Sequence, residues 1–460
     1  MIPKSAISEL TRIVGTKNVL TQKQDLIPYS HDSTQSECMP DLAVIPRDAV
    51  QISRILQIAN RECFPVIPRG AGSGMSGGAL AIRGGLVLAM SALNRILLID
   101  ENNLIAKVEP GVITGHLQAE AEKRSLFYPP DPASLDVSTI GGNVAECAGG
   151  PRAFKYGVTR DYVLELGIVL PTGEILTTGV ETAKGVVGYD LTRLIVGSEG
   201  TLAIITEITL RLIPKPPMTR TILAIFRDMY DAVQSVSRII QAKIIPATIE
   251  FMDSLSVDCL RDQLELNLPR AKVTLLLIEV DGDRLHIEND TRKIEALCRK
   301  EGAIEFRKAK DKREAEVLWR ARRNLSPSLP KLGPHKINMD VVVPRSALAH
   351  FVTRLGEIGR RHKVPIPSFG HAGDGNIHVN IIYNRDDEDE AGRAEHALKE
   401  ILQQVLDLRG TISGEHGVGV SKKPYIGMEI PPAGLELMGR IKKAFDPNGI
   451  LNPGKIFDLT

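Results

Sequence analysis

The chain has 460 residues, and its 57 Lys and Arg side chains balance its 56 Asp and Glu side chains to a net charge of +1. This length allows two or three domains of about 100–200 residues. The 43% hydrophobic and 25% charged residues are ordinary values for globular proteins, which excludes long disorder, a collagen-like repeat and a coiled coil. The near-neutral charge argues against a nucleic-acid partner, which would favour a clustered basic surface.

The cysteines and the apolar segments exclude further classes of protein. The five cysteines are odd in number and form no CxxC pair, so neither a disulfide framework nor a thiolate zinc site is indicated. No apolar stretch approaches the ~20 residues needed to cross a bilayer, and the N-terminal residues lack the apolar core of a secretory signal. We therefore expect a cytoplasmic protein without a transmembrane segment, one that could be peripheral to a membrane through a partner.

A loop dense in glycine, Arg69–Gly78, is the first predicted ligand-binding segment. Residues 72–77 fit the GxGxxG pattern, and Asp100 closes the strand-like run RILLID about 20 residues later, as in a nicotinamide-binding Rossmann fold. A Rossmann loop must open a helix, however, whereas Gly84-Gly85 and a strand-like run follow here. We therefore predict a loop whose backbone N–H groups surround a diphosphate, with added charge from Arg69. A flexible surface loop is the alternative, although glycine this dense costs conformational entropy.

A second group of small residues follows a proline-rich turn. Pro129–Pro132 precede Ser138–Asn143, a tight, polar segment with little side-chain bulk. Such a segment lets backbone approach a flat ring or a diphosphate closely, with hydroxyl and amide groups left to bond it. Together with the first loop and with the segment Arg193–Leu212, it indicates one ligand-binding domain.

We interpret Pro214–Pro217 as a hinge, because consecutive prolines continue neither a helix nor a central strand. Beyond this hinge, strands and helices alternate. The predicted strands are TILAIF, ATIEFMD, KVTLLLIEV, AIEFRK, HKINMDVVVP and NIHVNII, and the predicted helices span residues 228–242, 285–299, 313–323, 346–362 and 389–408. The opening order, βαββαβ, predicts an α+β domain in which an antiparallel sheet carries helices on one face. The acidic run DDEDE, residues 386–390, indicates a solvated helix start.

Six segments, in chain order, resemble one known family. They are PRGAGSGMSGGA, DPASLDVSTIGGNVAECAGGPRAFKYGVTRDYV, GSEGTLAIITEITLRL, GHAGDGNIHVN, SGEHGVG and DPNGILNPGK. Over nearly its whole length the chain is similar to the FAD-linked oxidases of the vanillyl-alcohol oxidase / p-cresol methylhydroxylase superfamily. Within that superfamily it resembles most the D-2-hydroxyacid dehydrogenases: the glycolate oxidase D subunit, D-lactate dehydrogenase and D-2-hydroxyglutarate dehydrogenase.

The resemblance implies an α+β fold in which a cap is inserted into an FAD-binding domain. The FAD-binding domain would have two parts, a small α/β subdomain and a mixed-sheet subdomain, and the cap would be ferredoxin-like α+β. We expect the FAD-binding domain at residues 1–215, the cap or substrate domain at 216–410, and a C-terminal segment at 411–460 that returns to the FAD-binding domain.

By motif match, the resemblance also implies the residues that contact the flavin. They are Arg69, Gly70, Ala71, Gly72, Ser73, Gly74, Ser76, Gly77, Gly78, Asp131, Pro132, Ser138, Thr139, Gly141, Gly142, Asn143, Tyr156, Gly157, Glu199, Gly200, Ile204 or Ile205, and Asn452. Members of the superfamily that attach FAD covalently often carry a histidine in the first loop, where this chain has Gly70-Ala71-Gly72-Ser73. We therefore expect FAD to bind without a covalent bond.

Two later glycine-rich segments carry candidate metal ligands. His371 and His378 are seven residues apart, a spacing that would place them on opposite faces of an uninterrupted strand, but a turn at Gly373–Gly375 can bring them together. With Glu415 they make two imidazoles and one carboxylate, a set suited to zinc, manganese or iron. The resemblance implies the same three ligands. Polar core residues bonded by backbone are the alternative, which is the more usual one for any single histidine.

Candidate catalytic and substrate-binding residues complete the prediction. His416 is the natural general base for the hydroxyl proton, because imidazole titrates near neutrality, although the sequence also allows it to ligate the metal. The resemblance implies that Arg322 binds the substrate carboxylate, and Ser326 shares its helix face. Lys336 is a further substrate candidate by resemblance. Asn380 shares a strand face with His378 and should therefore face the substrate.

These expectations together predict an FAD- and metal-dependent enzyme that oxidises D-lactate, glycolate or a similar small D-2-hydroxy acid to the 2-oxo acid. Because the chain has no cysteine cluster for an iron–sulfur centre, electrons would pass to another protein or to a quinone. The alternative is a flavin-binding subunit of a multi-subunit oxidase, whose partner is an iron–sulfur protein or an electron-transferring flavoprotein; a homo-oligomer also stays open. Two rivals of other classes are a flavin-free metal hydrolase and a catalytically silent scaffold subunit.

Overall fold

The computed structural model describes residues 2–34, 36–261 and 268–458. Its strands are β1 (Val19–Leu20), β2 (Leu42–Val44), β3 (Val66–Arg69), β4 (Leu86–Ala89), β5 (Ile96–Asp100), β6 (Ile105–Val108), β7 (Leu126–Phe127), β8 (Val163–Val169), β9 (Ile175–Gly179), β10 (Ile204–Arg211), β11 (Ile213–Pro214), β12 (Met218–Phe226), β13 (Thr248–Met252), β14 (Thr274–Gly282), β15 (Glu305–Lys308), β16 (His335–Val342), β17 (Ser368–His371) and β18 (Asn376–Tyr383).

The helices alternate with these strands along the chain. They are α1 (Lys4–Val14), α2 (Lys23–Leu26), α3 (Ala49–Glu62), α4 (Thr114–Glu122), α5 (Ile140–Glu146), α6 (Ala153–Tyr156), α7 (Leu191–Ile195), α8 (Met229–Gln241), α9 (Ser254–Leu260), α10 (Arg284–Lys300), α11 (Lys312–Arg323), α12 (Leu325–Ser328), α13 (Leu348–His362), α14 (Glu388–Asp407), α15 (Ile426–Glu429) and α16 (Pro432–Phe445). No helix in the described ranges is both long and apolar enough to cross a membrane.

The chain divides into two units. The first holds Met1–Gly149, Val158–Lys215 and Glu415–Thr460, and the second holds Gly150–Gly157 and Pro216–Gly414. The expected division placed residues 150–157 with the FAD-binding domain and ended the cap at residue 410. In the structure, Lys155 and Tyr156 both bond to the buried carboxylate of Asp281, which ties the short segment to the second unit.

The first unit begins with a small α/β part. Among the described strands, β2, β4 and β3 run parallel and β1 pairs with β2 in the antiparallel sense. Helix α3 begins after Asp48, whose carboxylate accepts the N–H of Gln51 at 2.7 Å, and buries an apolar stripe at helical spacing against the sheet. The described residues of the loop between β3 and β4 contain no helix, so the loop lacks the helix that a Rossmann site requires, as predicted.

The second part of this unit is the sheet ordered β5-β6-β10-β8-β9. Each described pair in it is antiparallel, so the sheet differs from the mixed one that we expected. Helices α4 and α5 pack on its apolar side through Leu117, Ile140 and Val144. The predicted tight segment at Ser138–Asn143 is wrong in form: it opens helix α5, because the Thr139 hydroxyl caps the helix and Ile140 and Val144 are buried four residues apart.

The second unit is built on one sheet. Its described strands have the order β15-β12-β14-β13-β17-β18-β16, and every described pair is antiparallel. The predicted strands and helices are present within a few residues of their predicted ends. Helix α14 begins after Asp387 with acidic residues in its first turn, as the DDEDE run predicted.

Helices cover both faces of this sheet, so the prediction of helices on one face is wrong. One face, which we call the apolar face, buries Ile222, Ala224 and Phe226 of β12 and contacts α8, α10 and α14, while α13 packs on α8 and α14. The alternate residues Leu223 and Ile225 point to the opposite face and pack with α9, α11 and α12. We call this second face the mixed face, because its other half carries polar side chains.

Candidate functional site

A cavity of about 1340 Å³ lies in the first unit. Its wall combines the loop after β3, the start of α5, the segments before β10 and after Gly414, and the C-terminal segment. Eighteen of the residues predicted to contact flavin line it: Arg69, Gly70, Ala71, Gly72, Ser73, Gly74, Gly78, Pro132, Ser138, Thr139, Gly141, Gly142, Asn143, Glu199, Gly200, Ile204, Ile205 and Asn452. The lining is rich in glycine, alanine and serine, so a ligand can approach the backbone closely.

The remaining predicted flavin contacts lie elsewhere. Ser76 and Gly77 lie behind the lining loop, where the carbonyl of Ser76 accepts the N–H of Val420 at 2.7 Å. Asp131 adjoins the lining residue Pro132. Tyr156 and Gly157 belong to the second unit, in which the Tyr156 hydroxyl contacts Asp281.

Two glycines in the cavity wall are closely packed against neighbouring residues. A Cβ at Gly70 would lie 2.3 Å from Oγ1 of Thr139, and a Cβ at Gly141 would lie 2.5 Å from Cβ of Pro110. Neither position has space for a side chain. The loop and the start of helix α5 therefore line the cavity with backbone and small side chains, which suits a flat ring or a diphosphate that packs closely against them.

The Arg69 side chain holds the glycine-rich loop in place through hydrogen bonds to main-chain carbonyls. Its Nη2 donates to the carbonyls of Pro28 at 2.9 Å and His31 at 2.7 Å, and its Nη1 donates to the carbonyl of Ala79 at 3.4 Å. Burial lowers the pKa of Arg69. The sequence suggested a charge directed at the ligand, whereas the structure commits these donors to carbonyls that hold the loop in shape.

Glu199 and Asn452 clamp the far side of the cavity. The Glu199 carboxylate accepts the N–H groups of Val418 at 2.7 Å and Gly419 at 2.8 Å, which fixes the SGEHGVG segment. The Asn452 amide donates to the carbonyls of Gly78 at 2.9 Å and Glu199 at 2.7 Å. Two predicted ligand contacts thus also join the glycine loop to the C-terminal segment.

Sequence reasoning missed Glu146, which lines the same cavity. Burial and the neighbouring Glu199 and Asp32 raise its pKa well above the usual range of a glutamate. An acid within the otherwise small and apolar run GGNVAECAGG was the available signal.

Glu415 and His416 also line the cavity of the first unit. Nε2 of His416 lies 3.7 Å from Oε1 of Glu415, and both side chains are largely buried. The structure therefore places the predicted base in the wall of the predicted flavin cavity, with a carboxylate beside it.

The two candidate histidine ligands lie on the mixed face of the second unit. Strands β17 and β18 form a hairpin in which His371 is opposite Asn376 and Phe369 is opposite His378. The imidazole rings of His371 and His378 meet edge to face, with their centroids 5.1 Å apart. The predicted turn at residues 373–375 thus places both rings on one face.

Glu250 of β13 joins His371 to Arg322, and the sequence reasoning missed it. Its Oε1 lies 2.5 Å from Nδ1 of His371, and its Oε2 accepts the Nε–H of Arg322 at 2.6 Å. The Glu250 side chain is fully buried. Burial alone would raise the pKa of Glu250, but His371 and Arg322 outweigh it and hold that pKa below the usual range.

The other predicted substrate residues share this face. The guanidinium of Arg322 stands 4.8 Å over the centre of the Phe369 ring. Nζ of Lys336 donates to Oγ of Ser326 at 2.8 Å, and burial lowers the pKa of Lys336. Asn380 is fully buried and accepts from Nδ2 of Asn338 at 2.7 Å, so its amide also orders the sheet.

The third candidate ligand, Glu415, directly follows Gly414, which is hydrogen-bonded to the mixed face. The Gly414 N–H donates to the main-chain carbonyl and to Oδ2 of Asp340, each at 3.0 Å, and Asp340 is opposite His378 in the sheet register. Glu415 is the next residue of the chain and the first of its segment in the other unit.

Comparison with known proteins agrees with both parts of this description. A sequence model described as the FAD binding domain matches residues 40–179, and one described as the C-terminal domain of FAD linked oxidases matches residues 215–456. Among solved structures, p-cresol methylhydroxylase with substrate bound has a TM-score of 0.81 at 20% identity, covering 99% of this chain and 97% of its own. The 4-ethylphenol oxidase from Gulosibacter chungangensis has a TM-score of 0.78 at 19% identity, covering 99% and 97%. At these identities the likeness shows the fold.

Several curated proteins are much more similar in sequence. The glycolate oxidase subunit GlcD of Bacillus subtilis (strain 168) is 46% identical over 99% of this chain and 97% of its own. The subunit of the same name from Escherichia coli (strain K12) is 35% identical over 98% and 90%, and the D-lactate dehydrogenase of Anaerostipes hadrus is 33% identical over 96% and 95%. The chain therefore belongs to the FAD-linked oxidases and is an FAD-dependent oxidoreductase of their glycolate oxidase and D-lactate dehydrogenase group.

Proposed function

We propose that this oxidoreductase converts a small D-2-hydroxy acid, such as D-lactate or glycolate, to the 2-oxo acid. The observation that carries the proposal is the buried pair of Arg322 and His371 on one carboxylate, Glu250. A guanidinium beside an imidazole suits a substrate that has a carboxylate next to a hydroxyl. The names of the relatives, glycolate oxidase subunit and D-lactate dehydrogenase, support the same substrate class.

The cavity of the first unit fits FAD held without a covalent bond. Gly70 and Gly141 leave no room for side chains, so a diphosphate or a ring could contact their backbone directly. The Gly70–Ser73 stretch offers no histidine for a covalent bond. When bound there, FAD supplies the two-electron acceptor for the Cα hydride.

The donor set His371, His378 and Glu415 fits a divalent transition metal such as zinc, manganese or iron. The two imidazole rings meet edge to face, and Glu415 directly follows Gly414, whose N–H donates to Asp340, the residue opposite His378 in the sheet. When bound, such an ion supplies a Lewis acid that makes the substrate hydroxyl easier to deprotonate. His416, in the wall of the flavin cavity, accepts the hydroxyl proton.

We further propose that electrons leave through a partner protein or a quinone. The five cysteines are all free thiols and form no CxxC pair, so the described chain offers no thiolate set for its own iron–sulfur cluster. The word subunit in the names of two relatives supports a heteromeric oxidase.

A dye-coupled screen of D- and L-2-hydroxy acids tests this function. We expect a yellow protein that reduces the dye with glycolate or D-lactate and not with L-lactate. His416→Ala should lower kcat by at least about 100-fold, as general acid–base catalysis contributes about 10²–10⁴-fold. His350→Ala, at an exposed position on α13, is the matched control and should keep full activity. A colourless protein would support a flavin-free hydrolase instead, and full activity of His416→Ala would contradict the base.

A further inference from the structure

A single buried acid, Glu250, bonds two side chains to which the proposed function gives different tasks. Glu250 lies opposite His371 in the register of β13 and β17, and Arg322 reaches it from the last turn of α11. Each carboxylate oxygen faces one nitrogen, at 2.5 Å for Nδ1 of His371 and 2.6 Å for Nε of Arg322.

This arrangement decides which atoms the two side chains can offer to other groups. A carboxylate only accepts hydrogen bonds, so the His371 ring donates from Nδ1, and in the neutral ring Nε2 then carries the lone pair that binds metals. Arg322 uses its Nε–H for the pair, and its terminal nitrogens carry the four remaining N–H donors in a planar fork.

A purely structural purpose explains this arrangement poorly. Fully buried ion pairs contribute little net stability, and well-packed apolar residues of similar volume often replace them without loss. Leu277, opposite Glu250 on β14, and Met252, two residues along β13, show that apolar side chains fit this face.

We propose that Glu250 is the positioning residue of the site: it presents Nε2 of His371 to a divalent metal and the terminal nitrogens of Arg322 to the carboxylate of the hydroxy acid. The inference rests on the proposed function, and it identifies Glu250 as the residue that couples metal binding by His371 to substrate binding by Arg322. Loss of Glu250 should therefore weaken metal binding and substrate binding together.

Glu250→Gln keeps the shape of the side chain and removes its charge. We expect Zn²⁺ affinity, measured against a chromophoric chelator, to fall by about 10–100-fold, the usual effect of losing a carboxylate behind a metal-bound histidine. We also expect the KM for D-lactate or glycolate to rise by at least about tenfold. Glu250→Asp, which keeps the charge on a shorter arm, should recover part of both losses.

Glu279→Gln is the matched control. Glu279 of β14 lies on the same face, opposite Thr248 of β13. Its carboxylate, however, accepts from the indole N–H of Trp319 at 3.2 Å and from the hydroxyl of Thr221 at 3.3 Å. Its substitution should leave Zn²⁺ affinity and KM unchanged.

Wild-type affinity and KM in Glu250→Gln, with only a lower melting temperature, would overturn the inference. If Glu250→Gln does not fold, the same two measurements on Glu250→Asp decide, and unchanged values there would overturn it equally. Wild-type protein that binds no Zn²⁺ and oxidises no hydroxy acid would contradict the proposed function instead, which separates the two failures.

Discussion

The two faces of the sheet in the second unit are made by the same strands and differ in what they bury. On the apolar face, Phe251 is completely buried, and helix α8 contacts its strand β13. On the mixed face, its chain neighbour Glu250 is equally buried but bonds to a histidine and an arginine. Because successive strand residues point to opposite faces, β13 contributes an apolar core residue to one face and a buried acid to the other.

Stability and function should depend on different faces of this sheet. Burial of apolar side chains is the dominant favourable term in folding, whereas buried charges are costly and persist where they are paired. Substitutions on the apolar face should therefore change the free energy of unfolding, and substitutions of Glu250 and the side chains grouped around it on the mixed face should change ligand binding and catalysis.

The largest effect should come from Phe251→Ala on the apolar face. Phe251 is completely buried, and removal of a buried phenyl ring costs about 3–5 kcal/mol of unfolding free energy. Denaturant unfolding measures this loss. The folded fraction should keep its Zn²⁺ affinity and its kcat/KM, and a large change in KM with unchanged stability would contradict the assignment of stability to the apolar face.

His378→Ala should have the next largest effect, on activity. Loss of one of the two adjacent imidazoles should lower the rate of hydroxy acid oxidation by more than about 100-fold. Loss of a residue that only supports a metal-bound histidine already lowers metal affinity or activity by about 10–100-fold, and loss of the ligand itself should cost more. His362→Ala is the control, because His362 lies on α13 and pairs with Glu400 at 2.8 Å. Equal activity of the two variants would argue against a metal at this face.

Arg322→Lys should raise KM by about 10–100-fold with a smaller change in kcat. Lysine keeps the charge but loses the planar fork and the Nε–H that bonds to Glu250. Steady-state kinetics with D-lactate or glycolate measure the split. Arg320→Lys, at an exposed position on the same helix, should behave as wild type. A KM of Arg322→Lys equal to that of Arg320→Lys would remove Arg322 from the site.

The smallest effect should be a pH dependence at Asp253, which follows β13. Burial raises the pKa of Asp253 from 3.8 to about 6, although donors including the N–H groups of Ser256 and Ser368 oppose the shift. Folded protein thus holds this proton more tightly than unfolded protein, so the stabilisation is complete below about pH 4 and is lost as the pH rises through about 6.

Asp253→Asn removes this dependence. Relative to the variant, wild-type protein should lose unfolding free energy between about pH 4 and 6, by at most about 1.4 kcal/mol per pH unit. Denaturant unfolding at several pH values checks the slope, and a constant difference between the two proteins would contradict it. Glu250, three residues earlier, has its pKa shifted downward, because His371 and the Arg322 guanidinium together outweigh the effect of its burial.

Much of this fold could be predicted from the sequence, because its signals are local. The alternation in TILAIF and KVTLLLIEV located β12 and β14, and Gly373 to Gly375 located the turn that joins the two histidines. The short helices α9 and α12 carry too few residues for a clear period, so the covering of the mixed face could not be predicted.

The rest of the site depends on contacts between distant parts of the chain. Glu250 looked like one acid in an apolar strand, and its partners Arg322 and His371 lie 72 and 121 residues further along. Arg69 was likewise expected to face a ligand, yet it bonds to carbonyls 38 and 41 residues earlier. The motifs located the loops, but only the folded structure shows which groups they hold.

Anaerobic reduction of the bound flavin tests directly whether the protein oxidises hydroxy acids with the help of a metal. Wild-type protein is mixed with D-lactate, glycolate or L-lactate, before and after treatment with a chelator, and the visible flavin absorbance is followed. We expect rapid bleaching with D-lactate or glycolate, loss of bleaching after chelation, and recovery on addition of one divalent metal. A flavin that stays oxidised with every hydroxy acid, or that is reduced equally well after chelation, would contradict it.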